Sequence, residues 1–240
     1  MNDFNWISSA ATHPGKQRRV NEDSLLNQPD SGLWAVADGM GGHHAGDVAS
    51  RRIVEALAAV PVQPTLDGML LAVEDALQNV NQGLLDLAIT ERKRTIGSTV
   101  VALIAAQNHA ICLWVGDSRI YRSRKGRLEQ LTQDHAMVEE MVQVGLLSRD
   151  EAESHPQANR ITRAVGATAA LFTDLEIYRL EAGDRFLLCS DGLYKELSEP
   201  EIARTLANGN STENLADALI EQALQHEARD NITAVIVDIH

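Results

Sequence analysis

An α+β fold built mainly from antiparallel strands is predicted by three features of the 240-residue sequence. Strand-like segments come in consecutive blocks and not in strict alternation with helices, which disfavours a doubly wound parallel sheet. The run "STVVALIAAQNHAICLWVGD" holds two apolar stretches around Gln107-Asn108, the pattern of a hairpin. Apolar residues make up 44% of the chain, enough for a substantial core in one domain over 1–240. No repeat, low-complexity tract or Pro/Gly/Ser linker interrupts it.

Each element has its own local reason. "SLLNQ" (24–28) and "GLWAVAD" (32–38) are short apolar runs closed by turn formers, too brief for helices. Helices are predicted at about 46–59 and 66–89, and strands over 98–107, 109–117 and "RIYRS" (119–123). Residues 133–160 are polar with helical character and few core positions, the pattern of a surface excursion or flap. Strands return at "LFTDLEIYRL" (171–180), "DRFLLCSD" (184–191) and "NITAVIVDI" (231–239). Between the last two lie helices at 199–207 and 212–226, the second capped by Ser211 or Thr212 and carrying Leu215, Leu219 and Ala223 at helical spacing.

Lys plus Arg number 21 against 34 for Asp plus Glu, a net charge of −13. Such a surface repels nucleic acid and anionic membrane unless something local reverses the sign. The first residues have no signal-peptide pattern and no apolar run is long enough to span a bilayer, so a cytoplasmic protein is expected. Cys112 and Cys189 both lie inside apolar runs and read as small buried hydrophobes.

Four aspartates stand at strand boundaries. Asp38 closes "GLWAVAD" before "GMGG", Asp117 closes "CLWVGD", Asp191 closes "FLLCSD", and Asp230 precedes "NITAVIVDI". Any one of them alone reads as a turn residue. If the strands are neighbours, however, the acids converge, and clustered carboxylates repel unless a cation lies between them. Oxygen-only ligation suits a hard divalent ion, Mg²⁺ or Mn²⁺.

These aspartates fall within an ordered series: "RRVNEDS", "VADGMGGHHAG", "GSTVV", "VGDSR", "LTQDH", "ITRAVG", "LLCSDGLY" and "RDNITAVIV". The series resembles the motifs of the metal-dependent protein serine/threonine phosphatases of the PP2C family in its compact bacterial form, over nearly the whole chain. The resemblance implies a four-layer α-β-β-α sandwich with two divalent cations, Mn²⁺ or Mg²⁺, in a cleft at one end. Asp38 would bridge both ions, the Gly39 carbonyl would bind the first, and Asp191 and Asp230 would hold the second. Glu22 would orient water from one shell further out, with Asp23 nearby, and Arg18 would grip the substrate phosphate. Bacterial members further suggest that Asp117 and Asp191 hold a third, weaker ion.

The implied reaction is attack of a metal-activated water on phosphoserine or phosphothreonine in proteins, without a phosphoenzyme. The implied partners are phosphorylated proteins, a serine/threonine kinase and its substrates; a monomer is expected, with neither nucleic acid nor membrane. One position departs from the pattern. Animal members carry a histidine directly after the Asp-Gly pair as proton donor, and here that residue is Met40. His43 and His44 follow on the same loop but read as solvated, so the general acid has no assigned residue.

Rival phosphatase chemistries fail on spacing. An Asp nucleophile of the haloacid-dehalogenase kind needs a second Asp two residues on, where this chain has Met40 and Leu193. A cysteine phosphatase needs Arg six residues after the Cys, where Ser118 and Lys195 stand. The remaining alternative is a catalytically weak ligand-sensing module that keeps the fold, and it predicts lost metal ligands; none of the matched positions is missing.

Overall fold

The computed structural model describes residues 4–41, 45–93, 95–153, 155–207 and 212–240. Two antiparallel sheets pack face to face, each covered by helices on its outer side. In the first sheet the order is β2 (Asp23–Gln28), β3 (Leu33–Met40), β5 (Val100–Ala106), β6 (His109–Val115) and β9 (Asp174–Arg179), with the two-residue β4 (Gly97–Ser98) paired to the end of β3. In the second the order is β1 (Trp6–His13), β11 (Ile232–Ile239), β10 (Arg185–Cys189), β7 (Arg119–Arg124) and β8 (Arg127–Gln130).

Strand alternation distributes the apolar residues over three separate cores. On β5, Val100, Ala102 and Ile104 face α1 (Ala45–Ala58) and α2 (Leu66–Thr90), while Val101 and Leu103 face the other sheet. On β11, Val235 and Val237 join the inter-sheet core, while Ala234 and Ile236 face α5 (Asp191–Tyr194), α6 (Glu199–Ala207) and α7 (Leu215–Ala223). Burial on both faces explains why the central strands read as unbroken apolar runs. Fully burying one such side chain stabilises the fold by about 1.5–3 kcal/mol, against about 0–1 kcal/mol for an exposed ion pair such as Arg51–Asp47. The three cores therefore hold the layers together.

The hairpin is present, with Gln107 at φ 55° in its turn. Helix α2 starts where Thr65 Oγ1 accepts from the Gly68 N–H, and it buries Met69, Val73, Leu77 and Leu84 at helical spacing. Several boundaries differ from expectation. Strand β1 is not apparent in the sequence because "WISSAATH" is an edge strand with mostly small residues, and β8 is a short polar edge. The expected strand over 98–107 divides at Thr99, and 171–180 shortens to β9.

Helix α7 begins at Leu215 and ends at Ala223, shorter than 212–226, because Thr212–Asn214 form a 3₁₀ turn. Thr212 does not cap it: its hydroxyl donates to the Asp238 carboxylate instead. Ser211, the other capping candidate, lies outside the described residues. The segment 133–160 contains two short helices, α3 (Met137–Gln143) and α4 (Arg149–Glu153).

Cys112 lies between the sheets and Cys189 beneath the second helical layer, both free and buried. Burial pushes both thiols up, Cys189 to about 12, so neither is a thiolate at neutral pH. Cys112→Ser buries a hydroxyl without a partner among apolar groups. It should cost about 1–3 kcal/mol in urea denaturation, and an unchanged midpoint would contradict the packing described.

Candidate functional site

Strands β3 and β6 are both antiparallel to β5 between them, so Asp38 near the end of β3 and Asp117 just after β6 emerge on the same side. Strands β10 and β11 are antiparallel neighbours, so Asp191, two residues past the end of β10, meets Asp230, two residues before β11. All four line one cavity of about 1110 Å³. Arg18, Glu22 and Gly39 line it too, so every site residue expected from the sequence is brought to one place. Met40 lines it as well, whereas His43 and His44 lie outside the described residues.

Close backbone approaches hold these segments together. A Cβ on Gly39 would sit 2.0 Å from the Gly46 carbonyl oxygen and 2.7 Å from that of Glu22, so only glycine lets β3 lie against the start of α1. Gly192 has the same role beside the Asn231 carbonyl, at 2.0 Å, which brings Asp191 next to Asp230. The glycines of this region thus have a steric purpose besides any carbonyl they present.

Polar side chains complete the frame. Asn231 Nδ2 donates to the Pro14 and Val20 carbonyls at 3.0 Å, and its Oδ1 accepts from the Glu22 N–H at 2.8 Å, fixing the loop that carries Arg18 and Glu22. Thr99 of "GSTVV" accepts from the Asp38 N–H at 3.1 Å and bonds Ser118 of "VGDSR" at 2.7 Å. The "LTQDH" segment braces the Asp117 loop: His135 Nδ1 accepts from the Gly116 N–H at 3.1 Å, and Asp134 chelates Arg119. Arg119 in turn lies 3.7 Å over the Tyr194 ring, whose hydroxyl donates to the Asp117 carbonyl at 3.0 Å.

The electrostatics are dominated by crowded acids. Asp38 has its carboxyl pushed well above the usual range, first by burial and then by Asp23, Asp191, Asp117 and Asp230. Burial raises Asp23 to about 7, although Thr233 and Ser190 each donate to its Oδ2 at 2.7 Å; its other oxygen has no partner. Asp117 is also raised to about 7, by burial and by Asp191. For Lys195 burial opposes the charge, but Asp191 beside it prevails and its pKa is raised.

Whether these residues suit divalent ions can be judged from their chemistry. The donors are all oxygens, and the carboxylates repel one another in the way that a cation between them would relieve. Among the described residues, however, no three His, Cys, Asp or Glu side chains are drawn close enough to hold a metal as they stand. The partners give the reason. Arg18 Nη2 holds Asp230 Oδ2 at 2.8 Å, and Lys195 Nζ holds Asp191 Oδ2 at 2.5 Å, so two of the acids are tied to protein cations and not to a common centre with Asp38. Lys195, Asn231 and the depth of Asp23 were not singled out from the sequence. Only the position of Lys195, four residues after Asp191, was a usable signal.

Comparison with known proteins identifies a family with this fold. The family model described as protein phosphatase 2C matches residues 13–233. A serine/threonine phosphatase of Listeria monocytogenes is 35% identical over 238 residues, covering 95% of this chain and 93% of the relative. The solved structure of PppA, a key regulatory component of T6SS in Pseudomonas aeruginosa, superposes with a TM-score of 0.92 at 39% identity, covering 99% of both chains. The catalytic domain of the serine threonine protein phosphatase PstP in complex with 2 manganese ions gives 0.87 at 33% identity, covering 98% of this chain and 99% of that one.

The raised carboxyls make stability depend on pH with a definite sign. An acid whose pKa is raised on folding binds more protons in the native than in the unfolded state, so stability falls as pH rises toward the folded value. Asp23 and Asp117 contribute up to about 7, and Asp38, raised by burial and by the neighbouring acids, acts in the same direction. His135, lowered chiefly by burial, acts in the opposite direction only below about pH 6.5. In EDTA the melting temperature should therefore fall between about pH 5 and 7, Mn²⁺ should recover more of it at the upper end, and Asp38→Asn should flatten the decline. A melting temperature that climbs over this range would count against the crowded-acid description.

Proposed function

Since this chain belongs to the protein phosphatase 2C family of metal-dependent serine/threonine phosphatases, we propose that its acidic cavity removes phosphate from phosphoserine and phosphothreonine side chains of proteins. The observation that carries this reading is the convergence of Asp38, Asp191 and Asp230 from both sheets on one cavity where burial and mutual repulsion call for cations. The alternative of a ligand-sensing module with lost ligands has no support in the cavity lining.

Asp38 would bridge two divalent ions, Mn²⁺ or Mg²⁺, with the Gly39 carbonyl on the first and Asp191 and Asp230 on the second. When bound, the ions supply a water acidified toward neutral pH and neutralise charge on the phosphoryl oxygens. Glu22 would orient that water. Arg18 would exchange its hold on Asp230 for the substrate phosphate, whose oxygens its planar fork matches. The cations also explain how a chain of net charge −13 accepts an anionic substrate.

Asp117 and Asp191 would hold a third ion loosely and so help order a proton donor to the leaving group, easing the lack of a histidine at Met40. The segment 133–160, from which Asn159 reaches the cavity edge and on which Val144 and Leu146 are 71% and 73% exposed, would select among phosphoproteins without taking part in the chemistry. A serine/threonine kinase and its targets are the expected partners of a monomer. A cytoplasmic setting is supported by the two unpaired cysteines. Among the described residues no helix is long and apolar enough to cross a membrane.

Hydrolysis of a phosphothreonine peptide should require added Mn²⁺ or Mg²⁺ and stop in EDTA. Asp38→Ala should lose several orders of magnitude in kcat, whereas Arg18→Ala should chiefly raise KM. Full activity of Asp38→Ala would sink the ion assignment.

For Asp117→Ala, calorimetry should still find two tight ions and an unchanged melting temperature, with kcat lowered on the order of a hundredfold. A loss of several degrees in melting temperature with normal turnover would make Asp117 a turn residue.

Replacing 133–160 with a relative's segment should alter turnover of a phosphoprotein and spare that of an aryl phosphate. Equal losses on both would contradict the selecting role.

A further inference from the structure

Lys195 is a charged residue of the cavity wall that the ion assignment leaves unused. It caps the one-turn helix α5 and stands four residues after Asp191, a spacing that on an open surface gives ion pairs of little consequence. Here the setting differs in three respects. The side chain lines the cavity and is 39% exposed. Its ammonium also donates to Asn159 Oδ1 at 2.8 Å, a residue of a different segment. Its charge acts on Asp117 and Asp38 as well as on Asp191.

We propose that Lys195 is a built-in third cation of this centre, whose ammonium occupies the place beside Asp191 and Asp117 that a further divalent ion would take, and that it keeps the binding of that ion weak. The proposal rests on the reading of Asp38, Asp191 and Asp230 as ligands of two tight ions. Charge balance supports it. The six acids around the ions, Glu22, Asp23, Asp38, Asp117, Asp191 and Asp230, are matched by two divalent ions together with Lys195 and Arg18, while Glu227 pairs with Arg229 and Glu196 adds one further acid to the wall. A further divalent ion finds the charge of Asp191 already met by the ammonium. It must displace Lys195 from Asp191 and pay Coulomb repulsion if the ammonium stays close.

Removing that charge should turn the loose site into a firm one. Titrations with Mn²⁺ alone, following free Mn²⁺ by paramagnetic resonance, compare the wild type with Lys195→Gln, Lys195→Arg and Asp117→Ala/Lys195→Gln. All four should bind two ions tightly. Lys195→Gln should bind a third on the order of tenfold or more tighter than the wild type, Lys195→Arg should match the wild type, and the double variant should lose the gain. Lys195→Met, which keeps the apolar stem, repeats the comparison if Lys195→Gln folds poorly, as judged by melting in EDTA.

A third ion equally weak in the wild type and Lys195→Gln overturns the role of Lys195 and leaves the two-ion reading intact. A third ion in neither protein, or one that persists in the double variant, overturns it as well. Failure of the wild type to bind two ions tightly would overturn the two-ion reading itself.

Discussion

Asp23 and Asp38 stand opposite one another across the β2–β3 ladder, the first buried and the second half-buried at the cavity wall, at a register position where like charges repel. The fold tolerates them because Asp23 is gripped from the other sheet by Ser190 and Thr233. Those residues flank the ends of β10 and β11, next to Asp191 and close to Asp230. The grip on Asp23 is therefore the tie that brings acids from the second sheet up to Asp38 in the first. Without it the sheets could still pack through their apolar faces, but their alignment at this end would rest on fewer polar ties, chiefly Asn231 to Glu22 and Tyr194 to Asp117.

Placing so many acids together raises the question of what compensates them in the protein alone. Part of the answer is protonation, expressed in the raised carboxyls, and part is Arg18 and Lys195, each closed on one aspartate. The free energy of the ions is then spent partly on removing protons and on parting ion pairs. Affinity for metal is consequently tied to pH and to the two basic side chains, not to the carboxylates alone.

Much of this was legible in the sequence, and for identifiable reasons. Central strands such as "STVVALIAA" stood out because both of their faces are buried, and the acids stood out because each interrupts an apolar run. Edge strand β1 did not, since its "SSAA" presents only small, mostly half-buried residues to the cores on either face and reads like a loop. Nor did Thr212, drawn to Asp238 and away from the helix it precedes. Asn231 is the clearest case at the site: an ordinary Asn beside an Asp, whose role appears only when the fold brings Pro14, Val20 and Glu22 to it across some two hundred residues. Such contacts depend on chain closure, of which local sequence carries no trace.

The division of β5 between two cores also bears on how this architecture can change through time. Deleting one residue from that strand would send Val100, Ala102 and Ile104 toward the opposite sheet and turn Val101 and Leu103 toward the helices, exchanging the contents of two cores at once. Insertions and deletions in the central strands are thus closed to natural variation. Length can drift only where the chain leaves the layers, above all across 133–160, which borders the cavity while supplying none of its carboxylates. The lineage can remodel what the site meets while the site itself stays out of reach of such change.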